Sequence, residues 1–159
     1  MKRSEVNRRI EEAEAFLDSM RFRLPPWSSR GPAEWKGRLP AEAEIVDAML
    51  GWDLTDFGSG DFDRRGLILF TLRNGSASAR RKTYAEKIMV AGEGQETPTH
   101  FHRSKTEDII VRAGGRLVVH LWASAPDGGL SSERVRFSVD GCLRELGPGG
   151  ELVLGPGES

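Results

Sequence analysis

Cysteine is almost missing from this chain: Cys142 is the only one in 159 residues. A lone thiol excludes an internal disulfide framework, and a reducing cytoplasm is the compartment that fits. An excess of charge of either sign is also lacking, since 23 basic side chains face 24 acidic ones and the formal charge is -1. No global field therefore draws the protein to nucleic acid or to an anionic membrane, and the expected partner is small and neutral. Long apolar runs are absent from the start of the chain. The opening MKRSEVNRRIEEAEAF is charged throughout and offers neither a signal-peptide core nor a membrane span, so a soluble, cytoplasmic protein is expected.

What is present is enough apolar material, 38% of the residues, for one domain with a real core. Nineteen glycines and eight prolines are too many for a helical bundle of this size and imply many turns between short strands. Near the N-terminus, Val6, Ile10, Ala13, Leu17 and Met20 recur at spacings of three and four between charged residues, the pattern of one amphipathic helix. Ser4 is the expected N-cap, and Pro25 and Pro26 must lie beyond the end. The stretch that follows, to about residue 60, mixes Pro, Gly and Trp with two short helical candidates, 32–36 and 41–50, and reads as a helical collar with loops. From Gly66 the pattern changes to GLILFTLRNG, YAEKIMVAG, EDIIVRAGG, RLVVHLWAS and RVRFSVDG, short β-prone runs ended by turn residues. Successive antiparallel strands over 61–159, arranged as a sandwich or jelly-roll barrel, are the expected body of a single 1–159 domain. The run Arg80, Arg81, Lys82 falls between two such strands and reads as a solvated loop.

The chemistry concentrates in GQETPTHFHRSKTEDIIVRAG, residues 94–114. On a strand, residues separated by one share a face, so His100 and His102 could grip one ion while Phe101 faces away. A turn through 103–106 would bring the Glu107 carboxylate alongside. Two imidazoles and one carboxylate suit manganese, iron, cobalt, nickel or zinc, and the donor set does not choose among them. Gly94 and Gly114 stand where the chain is expected to turn sharply, at positive φ. His120, alone in LVVHLW, reads as an ordinary strand residue. Lys87 lies in a β-prone run whose alternate face, with Ala85 and Met89, could be a barrel interior, where an ammonium needs a carboxylate or a sugar oxygen.

The spacing Gly94, His100, His102, Glu107, Gly114 coincides with the first motif of the cupin superfamily. The segments MLGWDLTDFGSGDF, LILFTLRNG, AEKIMVAGEGQETPTHFH and TEDIIVRAGG, with the charged opening, resemble more narrowly the D-lyxose isomerase family along nearly the whole chain. The resemblance implies a cupin enzyme that interconverts an aldose and its 2-ketose, D-lyxose with D-xylulose and often D-mannose with D-fructose. It also implies a divalent metal, commonly manganese, held by His100, His102 and Glu107, an active-site lysine at Lys87 that contacts the substrate, and a homodimer. A second cupin motif would supply a fourth histidine ligand. The closing GGELVLGPGES fits only its start, with Gly149 first, Gly155 where proline is usual and Gly157 as the second glycine, so a C-terminally incomplete barrel is expected. An iron dioxygenase or a non-catalytic sugar-binding cupin would use the same ligands, but neither explains the helical collar or the DFGSGDF loop.

Overall fold

The apolar stripe from Val6 to Met20 is realised as helix α1 (Arg3–Ser19) in the computed structural model of the protein, which describes residues 1–38, 41–75 and 82–159. Ala13 and Leu17 are buried on that stripe. Burying the Leu17 side chain is worth about 1.5–3 kcal/mol. The helix starts one residue before the expected cap, because Lys2 O accepts the first backbone bonds, from Glu5 and Val6 at 3.0 Å each, and leaves Ser4 inside. It ends where Arg21 takes φ 59°, with Arg21 N donating to Asp18 O and Phe22 N to Leu17 O, both at 2.9 Å. This is a Schellman closure built on arginine in the position glycine usually takes. Two short helices follow, α2 (Pro32–Trp35) and α3 (Ala43–Asp47), within the two expected helical stretches.

Strand β1 (Gly51–Thr55) corrects the expectation that everything to residue 60 is helix and loop. Its run GWDLT is too short, and too interrupted by Gly51 and Asp53, to stand out as a strand. What makes it one is pairing along its whole length with β2 (Leu67–Arg73). β2 pairs in turn with β3 (Glu86–Val90), giving an antiparallel sheet in the order β1-β2-β3. One face of this sheet, with Trp52, Leu54, Ile68, Phe70, Ile88 and Val90 in register, is the core face. Phe70 has no exposed surface and lies between Trp27 and Trp52, whose ring centroids are 5.2 and 5.1 Å away. Ile68 clusters with Ala13 of α1 and with Phe62, and the Arg9 guanidinium lies over the Phe62 ring. The opposite face carries Leu69, Thr71, Lys87 and Met89. Register slips between Thr71 and Arg73, a bulge that leaves Leu72 as the extra residue immediately beyond the Thr71–Lys87 pair.

Residues Met1–Pro98 form one compact unit and Thr99–Ser159 a second. In the second, β4 (Leu117–Leu121) pairs with β7 (Gly150–Leu154), and β5 (Val135–Val139) with β6 (Cys142–Leu146), all antiparallel. The β5-β6 turn is Asp140-Gly141, with φ 49° and 77°, the doubly left-handed geometry that suits a two-residue hairpin. The fold is thus mainly β and cupin-like, with antiparallel sheets behind an N-terminal helix. The described strands form separate sheets of three, two and two strands, so they do not close the expected barrel. One of the expected strands, EDIIVRAGG, is missing from them. It forms no strand: among the described residues only its Val111 has a backbone partner, donating to Glu158 O at 3.0 Å and accepting from Gly157 N at 2.7 Å.

Candidate metal centre

The turn expected at Gly94 is present, with φ 68°, and it is braced by Gln95. Gln95 accepts from Gly92 N at 3.0 Å through Oε1 and donates through Nε2 to Phe62 O at 2.6 Å. Gly114 likewise takes φ 90°. Both glycines of the spacing therefore occupy the left-handed region that the motif requires of them.

Between them the chain brings the three expected ligands together. Candidate ligand atoms of His100, His102 and Glu107 all lie within 4.8 Å of one another, and all three residues are exposed. The two imidazoles stand edge to face with centroids 5.0 Å apart. His102 Nε2 lies 2.9 Å from Glu107 Oε2, and Lys105 Nζ donates to Glu107 Oε1 at 3.3 Å. Both carboxylate oxygens are thus engaged. Partial burial pushes the Glu107 carboxyl up, but the charge and hydrogen bond of Lys105, and then those of His102, hold it below the ordinary carboxylate value. An ionised carboxylate beside two imidazoles is a donor set that fits a divalent metal.

The strand on which His100 and His102 were expected is absent: residues 99–112 are irregular, and the two rings come together on a loop. Lys105 is a contact that motif reasoning passed over. The signal was available, since a residue two before Glu107 in extended chain falls on the same side. His120 is exposed on β4, in register with Glu151 and 6.5 Å from the Trp122 ring, and joins no metal-binding group among the described residues. Lys87 is exposed on β3, paired in register with the buried Thr71. Of the basic run, Arg80 and Arg81 lie outside the described residues, and Lys82 pairs with Glu44 at 3.0 Å.

The sequence profile of D-lyxose isomerase matches residues 1–159. The chain belongs to the D-lyxose isomerase family. Two relatives of known name align with its full length: a D-lyxose/D-mannose isomerase of Serratia proteamaculans, 45% identical over 163 residues, and one of Escherichia coli O157:H7, 44% identical. In each, the alignment covers 71% of the relative. As a member of the D-lyxose isomerase family the chain is an enzyme that interconverts an aldose and a ketose, and its substrate is a small sugar. This favours the isomerase reading over a dioxygenase or a non-catalytic cupin built on the same ligands. Among the described residues no helix is long and apolar enough to cross a membrane.

Proposed function

We propose that the chain acts as a single cupin domain that isomerises D-lyxose to D-xylulose and D-mannose to D-fructose, with Mn2+ held by His100, His102 and Glu107. The observation that carries the reading is the convergence of those three side chains within 4.8 Å in a member of a sugar isomerase family. A bound divalent ion supplies Lewis-acid polarisation of the sugar's carbonyl and neighbouring hydroxyl oxygens. The residues of the chain do the rest. Glu107, whose carboxyl is held below its ordinary value by Lys105 and then by His102, would contribute the negative charge that favours a dication, and each imidazole would offer one ring nitrogen.

Lys87 is the residue proposed to touch the sugar. It sits on the face of the three-stranded sheet opposite the core, next to the Leu72 bulge, a common device for aiming a side chain. Its ammonium donates hydrogen bonds to sugar oxygens. In the isomerisation the proton on C2 of the aldose passes to C1 by way of Lys87, while the O2 proton moves to O1, so that an enediol links aldose and ketose without net gain or loss of atoms. A homodimer in the cytoplasm is proposed on the family resemblance, and the exposed free thiol of Cys142 accords with a reducing compartment.

The test is to incubate the Mn2+-loaded protein with D-lyxose and with D-mannose and to assay D-xylulose and D-fructose. Absence of both ketoses would sink the substrate assignment. Lys87→Met is expected to lower kcat by about 10²–10⁴-fold, the usual worth of a positioned acid or base. An unchanged kcat removes Lys87 from the chemistry.

A further inference from the structure

His100 and His102 belong to a loop and not to a strand. The residues that alternate with them, Phe101 and Arg103, pair with each other. The Arg103 guanidinium carbon lies 5.4 Å from the centroid of the Phe101 ring, a cation over an aromatic face. Both side chains meet one point of a different loop: a carbon placed on the Cα of Gly128 would lie 3.9 Å from Phe101 Cζ and 3.9 Å from Arg103 Nη2. That loop is itself well determined. Gly128 N donates to Ala125 O, Ala125 N to Gly129 O, and Gly129 N to Asp127 Oδ1, each at 2.9 Å, and a bridge between Ser124 and Leu130 closes it. Gly128 adopts φ 85°, so it presents bare backbone at the contact where another residue would be strained.

We propose that Phe101 and Arg103, seated on Gly128, are positioning residues that aim His100 and His102 at the metal. The proposal rests on the metal-site reading above. Along four consecutive residues, His100 and His102 converge with Glu107 while the alternating Phe101 and Arg103 converge beside Gly128, so freeing the second pair would loosen the first. The exposed Phe101 ring, at 50% accessibility, contributes little to a core, so its value lies in direction. Supporting contacts of this kind commonly carry about 10–100-fold in metal affinity.

The experiment measures Mn2+ affinity by electron paramagnetic resonance, alongside the melting temperature of the metal-free protein. Phe101→Ala is expected to weaken binding about ten-fold with little change in the metal-free melt, while Phe101→Tyr, which keeps the ring, restores the affinity. Arg103→Met provides a second variant on an exposed side chain and is expected to weaken binding in the same direction. Unchanged affinity in both Phe101→Ala and Arg103→Met overturns the proposal and leaves the metal site standing. Failure of the unsubstituted chain to bind Mn2+ overturns the metal site and the proposal together.

Discussion

The two compact units solve different problems. Met1–Pro98 contains most of the described buried residues, Ala13, Leu17, Ala48, Phe62, Ile68, Leu69, Phe70 and Thr71, whereas Thr99–Ser159 contributes only Val139 and Leu154. Yet the second unit carries the candidate metal-binding constellation, on exposed and irregular chain. The difference teaches that the first unit is held by apolar burial, while the second depends on turn geometry, on short backbone pairings such as Val111 with Gly157 and Glu158, and on whatever its ligands bind. A region with few buried apolar contacts sits at the low end of local stability, where ligand-binding loops are commonly found.

The comparison breaks first at Phe70. Replacing this fully buried ring in Phe70→Ala is expected to cost about 3–5 kcal/mol in urea unfolding, whereas Leu143→Ser, at 77% exposure on β6, is expected to stay within about 0.5 kcal/mol. Similar losses at the two positions would show that burial does not divide the units. A smaller effect sharpens the contrast from the other side. At a free Mn2+ concentration about 100 times its Kd, binding is expected to stabilise the protein by about 2.7 kcal/mol, with hydrogen-exchange protection gained in residues 99–112, and His102→Ala should abolish the gain. Protection gained equally throughout Met1–Pro98 would end the idea that metal stabilises the second unit selectively.

The smallest effect is electrostatic and belongs to the first unit. Arg9 donates to Asp63 Oδ2 at 2.6 Å, and this hydrogen bond, against some desolvation and with help from the charges of Arg9 and Arg8, holds the Asp63 carboxyl below its ordinary value. A carboxyl depressed by folding contributes stability that is present above its unfolded value and is lost as pH falls through its folded one. The melting temperature of Asp63→Asn should therefore lie slightly below that of the parent at neutral pH and meet it in strong acid. Because Asp63 is largely exposed, the gap is expected to be small and to shrink with added salt. A gap that persists at low pH would assign the difference to packing.

Much of the candidate site was legible because its signals are local. The spacing of Gly94, His100, His102, Glu107 and Gly114 names three candidate ligands and two left-handed turns; the three side chains come together and both glycines take positive φ. Helix α1 was legible for the same reason, since a stripe of Val6, Ile10, Ala13, Leu17 and Met20 needs no knowledge of the rest of the chain. The misses involve partners distant in sequence. β1 is a strand because residues 51–55 meet 67–71, and EDIIV is not one: among the described residues only its Val111 has a backbone partner, more than forty residues away.

By itself, then, the sequence determined the family, the identity of the three candidate ligands and the conformations of the glycines that flank them, since short-range spacing and backbone preference settle all of these. Only the tertiary structure decided that the two histidines ride on a loop, that Lys105 reaches back to Glu107, and that Phe101 and Arg103 rest on Gly128. The physical reason is that the direction of a side chain on irregular backbone depends on what it packs against. In the case of Phe101 that contact lies 27 residues further along the chain and leaves no periodic trace in it.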